Sequence, residues 1–182
     1  MATETSKHLV LALTLAALPL LGASGCDKSG GGTKAPGNVY ADLGITLTDL
    51  DDSDISLVSN SDKEVHVLAF WATWCVPCTG ELAKMEGIYQ RLQPRGLKIY
   101  AISIDGPDTI SRVPGYASQE QWSFPVLYDS DTQVLARFNP KGDIPFYVVL
   151  DASGNILKSH QGYVKGDEAE LEAFLTESLP AE

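Results

Sequence analysis

The chain has 182 residues, 44% of them apolar, which is enough for one domain with a full core and too little for two domains of ordinary size. Acidic residues outnumber basic ones 24 to 13, for a net charge of −11. That balance excludes nucleic acid as a partner, because phosphate binding needs clustered Lys and Arg; the acidity serves solubility instead.

Taken in chain order, the first element is a leader. Lys7 and His8 precede an apolar run from Leu9 to Leu21, and Gly22-Ala23-Ser24-Gly25 leads to Cys26. A charged start, an apolar middle and a small-residue exit form the layout of a secretory signal over residues 1–25. The run is short of the roughly 20 apolar residues that a spanning helix needs. Small residues directly before Cys26 resemble a bacterial lipoprotein signal, in which Cys26 becomes the lipidated first residue; the pattern departs in having Ala23 where such signals carry Leu. Residues 26–38, ending in DKSGGGTKAPGN, contain nothing to bury and read as a flexible tether with a mean reach of about 20 Å. The folded domain is expected over 39–182, on the outer, periplasmic side of a membrane to which the lipid holds it.

Ile45-Thr46-Leu47-Thr48 and Ile55-Ser56-Leu57-Val58 alternate apolar with polar around Asp49-Leu50-Asp51-Asp52-Ser53-Asp54, predicting an N-terminal β-hairpin with an acidic turn. The aspartates lack the Gly and distal Glu of an EF-hand loop, so the turn reads as solvated rather than as a calcium site. Val65 to Trp71 is a buried strand. Pro77 then opens a helix whose apolar residues Leu82, Met85, Ile88, Tyr89 and Leu92 recur at helical spacing until Pro94-Arg95-Gly96. Strands follow at Leu97–Ile104, Phe124–Tyr128, Phe146–Leu150 and Ile156–Gln161. Helices are predicted at 109–121, interrupted by Pro114-Gly115, at 132–138 and at 167–179. Strands alternating with helices and ending in a hairpin indicate an α/β fold around a mixed sheet flanked by helices.

The chemistry sits in Phe70-Trp71-Ala72-Thr73-Trp74-Cys75-Val76-Pro77-Cys78. A thiolate is the reactive form of cysteine, and a helix N-terminus stabilises it through unpaired amides and the positive dipole end. Cys75 occupies that place, and Cys78, one turn on, is close enough to attack a sulfur bonded to Cys75, so the pair can form and then resolve a mixed disulfide. Other readings compete. Zinc needs two further ligands, for which only His66 and His160 remain after Cys26. A static disulfide in so short a ring constrains little chain entropy. A copper site would use both thiols and His160, and the alternative function is accordingly a copper-binding chaperone for oxidase assembly.

The same nine residues resemble the active site of thioredoxin-like proteins, in particular the membrane-anchored TlpA, ResA and CcmG (DsbE) group, and the resemblance runs from about Ile45 to Leu179. It implies a thioredoxin-like fold with an inserted strand-helix unit closed by Phe124-Pro125-Val126-Leu127-Tyr128-Asp129. It further implies that Pro145, in Gly142-Asp143-Ile144-Pro145, is cis and faces the cysteines, leaving the Ile144 backbone to pair with an extended substrate. Trp74 would lie beside the sulfurs and contribute to catalysis and substrate binding. Glu81 matches an acid common in the group and would handle the proton of Cys78, because the buried acid that thioredoxin places before Phe-Trp is Ala69 here. The implied activity is that of an extracytoplasmic protein-disulfide reductase, with no cofactor beyond the redox-active disulfide. Its implied partners are disulfide-containing exported proteins such as apocytochrome c and a membrane thiol protein as electron donor, and a monomer is expected.

Overall fold

The computed structural model describes residues 44–57 and 59–181. The signal expected at 1–25, the expected lipidation at Cys26, the tether expected at 26–38 and the expected start of the domain at 39–43 lie outside the described residues. Among the described residues no helix is long and apolar enough to cross a membrane.

Seven strands form one mixed sheet. They are β1 (Thr46–Asp49), β2 (Asp54–Ser56), β3 (Val65–Trp71), β4 (Leu97–Ser103), β5 (Val126–Tyr128), β6 (Phe146–Asp151) and β7 (Ile156–Gln161), in the spatial order β2-β1-β5-β4-β3-β6-β7. The central strands β3, β4 and β5 are parallel, and the pairs on either side are antiparallel. Four helices accompany them: α1 (Val76–Leu92), α2 (Val113–Glu120), α3 (Gln133–Phe138) and α4 (Asp167–Ser178).

Strand β3 shows why its sequence is an unbroken apolar run. Every one of its seven residues is buried. Val65, Val67, Ala69 and Trp71 join one core with Leu82, Met85 and Ile88 of α1, Val113 and Ala117 of α2, and Leu171 and Leu175 of α4. Leu68 and Phe70 point to the other face and pack with Val134 and Leu135 of α3 and with Ile45 and Leu57 flanking the hairpin. A strand covered on both faces loses the polar half of the alternation, and each large side chain removed from water in this way contributes about 2 kcal/mol.

The hairpin forms as expected, with Leu47 opposite Ile55. Its turn is closed by Asp49, whose Oδ1 accepts the N–H groups of Asp51 and Ser53, both at 2.9 Å. The inserted unit also forms: β5 hydrogen-bonds to β4 on one side and to β1 on the other, tying the hairpin to the sheet. One expectation is corrected. Residues 109–121 are not a helix broken at Pro114-Gly115 but a 3-10 turn at Ile110–Arg112 followed by α2, with Pro114 in its first turn. A proline there removes an N–H that has no intrahelical acceptor, so it starts the helix instead of interrupting it. Helix α1 ends through a 3-10 turn at Gln93–Arg95 and Gly96, whose φ of 108° and close approach to the Lys63 carbonyl (2.8 Å from a built Cβ) exclude a side chain.

Candidate active site

Strand β3 runs antiparallel to β6, with Phe70 opposite Phe146. The segment leaving β3 at 72–75 and the segment entering β6 at 144–145 therefore emerge from the same end of the sheet. That is the sequence logic of the site: one strand delivers the cysteines, and its neighbour delivers the proline loop.

The first segment is held by Asp105, which follows β4. Its carboxylate accepts the Thr73 N–H at 2.8 Å, the Thr73 Oγ1–H at 2.6 Å and the Ser103 Oγ–H at 2.9 Å, and it is fully buried. Burial opposes the charge, but the donors from Thr73, Thr109 and Ser103 outweigh it and hold the carboxyl below the ordinary range. A second restraint comes from the Cys75 N–H, which donates to the Ala72 carbonyl at 3.0 Å. Sequence reasoning missed Asp105. An aspartate just past a strand reads as a loop residue, and nothing local reveals a partner 32 positions earlier. Asp105→Ala takes the acceptor from three donors, the Thr73 N–H and hydroxyl and the Ser103 hydroxyl, and is expected to destabilise the fold by about 2–4 kcal/mol at pH 7. Because a depressed carboxyl stabilises above its unfolded value and loses that contribution as pH falls through its folded one, the gap between parent and variant should begin to narrow below about pH 4 in denaturant melts.

Cys75 and Cys78 are joined in a disulfide, their Cα atoms 5.3 Å apart. Cys75 is the N-cap of α1, Pro77 lies in its first turn, and that turn carries no acidic residue to offset the positive end of the helix. Both cysteines are largely buried in the α1 side of the core, Cys78 the more deeply. Around them the surface is apolar and open, with Trp74 57% and Val76 80% exposed. Trp71 lies in the same core, fully buried, edge-on to Trp122 with ring centroids 4.9 Å apart and tilted against Tyr116.

The Ile144–Pro145 peptide is cis, as expected. The Pro145 carbonyl accepts the Gly162 N–H and the Gln161 Nε2–H, both at 2.8 Å, and Asn139 Nδ2 donates to Gln161 and to the Asp143 carbonyl. The β3–β6 ladder begins at Phe146, so the Ile144 backbone lies outside it.

Glu81 sits one helical turn beyond Cys78, and its residue is only 5% exposed. Burial, followed by the nearby charge of Asp167, pushes its carboxyl up to about 8. His160 Nε2 is 3.2 Å from Asp167 Oδ2, and its ring stacks on Tyr147. Among the described residues no three His, Cys, Asp or Glu side chains are placed to hold a metal ion.

The AhpC/TSA family profile matches residues 36–161, more than two thirds of the chain. The chain belongs to the AhpC/TSA family. Among curated relatives, the thiol-disulfide oxidoreductase ResA of Bacillus cereus is 29% identical over 136 residues, 75% of each chain. ResA of Geobacillus kaustophilus is 30% identical over 126 residues, 69% of this chain and 70% of that one. A solved thioredoxin-like protein from Porphyromonas gingivalis superposes with a TM-score of 0.63 at 28% identity, covering 75% of this chain and 90% of its own. This member of the AhpC/TSA family therefore has the thioredoxin-like fold, and with its C-x-x-C disulfide at the head of α1 it is a thiol-disulfide oxidoreductase.

Proposed function

We propose that the chain reduces protein disulfides outside the cytoplasmic membrane, to which a lipid on Cys26 tethers it. The observation that carries the reductase reading is the Cys75–Cys78 disulfide at the N-terminus of α1, beneath an open apolar rim and beside a buried acid. The localisation rests on the leader and on the Cys26 context in the sequence.

In the reduced chain, the Cys75 thiolate bonds to one sulfur of a client disulfide and expels the other as a thiolate. Cys78 then gives its proton to the Glu81 carboxylate and bonds to the Cys75 sulfur, releasing the client's second sulfur as a thiolate. Two electrons have passed to the client, and the two thiolates take protons from Glu81 and solvent. A base that ionises near the working pH suits this transfer. Trp74, Ile144 and Pro145 line the client's approach: the exposed indole supplies apolar area, and the unladdered Ile144 backbone accepts an extended strand. Clients in this reading are exported proteins with exposed disulfides, among them apocytochrome c, and a membrane thiol protein restores the dithiol.

The direction of flow is tested by the equilibrium potential of the Cys75–Cys78 couple in thiol buffers. A reductase is expected near thioredoxin's value of about −270 mV, whereas a value near DsbA's, about −120 mV, would make the chain an oxidant.

A further inference from the structure

The loop that carries Ile144 is held by two amide side chains to which the exchange steps assign no part. Asn139 stands at the C-terminal cap of α3 and is buried. Its Nδ2 donates to the Asp143 carbonyl at 2.9 Å and to Gln161 Oε1 at 2.8 Å, and its Oδ1 accepts the Lys141 N–H at 3.3 Å. Gln161 ends β7 and in turn donates from Nε2 to the Pro145 carbonyl at 2.8 Å, beside the Gly162 N–H on the same oxygen. Each NH2 group faces a backbone carbonyl, which decides which way both amides are turned. The two side chains thus complete a line of hydrogen bonds from the end of α3, through the end of β7, to the peptide units that flank Ile144-Pro145.

What these bonds orient follows from peptide geometry. The Asp143 carbonyl and the Ile144 N–H belong to one planar unit, and that unit is trans, so the two point in opposite directions. Asn139 Nδ2, by holding the carbonyl, turns the Ile144 N–H away from itself, and no described residue accepts that N–H. On the other side, the ring of Pro145 fixes its φ, and the two donors on its carbonyl fix its ψ. Gln161 stands opposite Phe146 in the β6–β7 pair, so this second restraint is built on the strand pair that the loop runs into. Ile144 is therefore restrained from both sides, with its own donor unspent.

We propose that Asn139 and Gln161 are positioning residues for the client, an inference that rests on the pairing of an extended client with the Ile144 backbone set out above. They hold the Asp143–Ile144 peptide at the angle at which a backbone carbonyl of the client, beside the cysteine that Cys75 attacks, accepts the Ile144 N–H. The consequence is a substrate class. Disulfides set in a stretch of extended peptide are favoured over small disulfides that have no backbone to pair, by about the three- to tenfold that one net hydrogen bond supplies.

The test uses the full chain carrying Cys78→Ser. A short cysteine peptide is bonded to Cys75 from its thiopyridyl disulfide, with pyridine-2-thiol leaving, and hydrogen exchange of the Ile144 amide is followed by NMR. In this adduct the amide should exchange about tenfold or more slowly than in the chain without peptide. Adding Asn139→Ala or Gln161→Ala should remove about three- to tenfold of that protection, and the two together should cost less than the product of the single losses, because they act in one line of bonds. Gln161 is exposed, so its variant keeps the core and reports should Asn139→Ala fold poorly. In the chain with both cysteines, the rate on insulin relative to that on 2-hydroxyethyl disulfide should fall by a similar factor, a split that general loosening of the fold would not produce. Equal protection of Ile144 in the parent adduct and both variants overturns the proposal and leaves the strand pairing standing, and an unmoved rate ratio also overturns it. An Ile144 amide unprotected in the parent adduct defeats the strand pairing itself, and the proposal with it.

Discussion

Cys78→Ser should convert the chain from a catalyst into a trap. Cys75 keeps its place at the head of α1 and can still attack a client disulfide, but no second sulfur stands one turn away to release the product. A mixed disulfide between Cys75 and the client therefore accumulates, visible as a reductant-sensitive adduct on non-reducing gels and in intact-mass spectra. Cys75→Ser removes the attacking group itself. Its steady-state rate should fall by about a thousandfold or more, because the remaining Cys78 is almost fully buried and a serine hydroxyl is no substitute for a thiolate at neutral pH. The two variants separate attack from resolution: adduct from Cys78→Ser and none from Cys75→Ser is the expected pair of results. Adduct from Cys75→Ser instead would reverse the roles of the two sulfurs.

The second large effect is on stability, and its sign is opposite to that of most substitutions. Glu81 has an ordinary value of 4.5, raised by burial and Asp167 to about 8 in the folded chain. Below about pH 4.5 it is protonated in folded and unfolded states alike and has no effect. Between 4.5 and 8 the folded state binds a proton that the unfolded state has released, so stability falls with rising pH at up to about 1.4 kcal/mol per unit. Above 8 the full loss, on the order of 5 kcal/mol, is present. Glu81→Gln cannot ionise and escapes this loss. With the disulfide intact, denaturant melts should show variant and parent alike at pH 4 and the variant more stable by roughly 3–5 kcal/mol at pH 8.5. Equal stability at pH 8.5 would mean that the carboxyl is solvated and not buried on the inward face of α1 as described. A gain in stability alongside slower client release is the expected signature of a group retained for chemistry at the expense of the fold.

Much of this arrangement is legible in the sequence because it follows from local pattern. Strand β3 and helix α1 were readable from an unbroken apolar run and from recurrence at helical spacing, and the motif between them carries two thiols that only a helix start brings together productively. The cis peptide at Pro145 was not readable from periodicity; it followed from the family resemblance of the loop that precedes β6. What stayed hidden depends on partners far apart in the chain. Asp105 works through Thr73, and Asn139 reaches the proline loop through Gln161, contacts that no periodicity encodes. The burial of Glu81 was half visible: it follows Cys78 by three and precedes Met85 by four, so helical geometry places it on the inward face. Its neighbour Asp167, 86 positions later, could be found only from the folded chain. Pro114 reads in the sequence as a break because a proline within a helical pattern looks like one until the true start of the helix is known.

The account turns on the ionisation of Cys75, and the pH dependence of its alkylation in the reduced chain measures that directly. Iodoacetamide labelling with peptide mapping should show Cys75 reacting first, with a midpoint at least one unit below the value of about 8.5 for free cysteine, while Cys78 stays protected. A midpoint at or above 8.5, or modification of Cys78 ahead of Cys75, would contradict it.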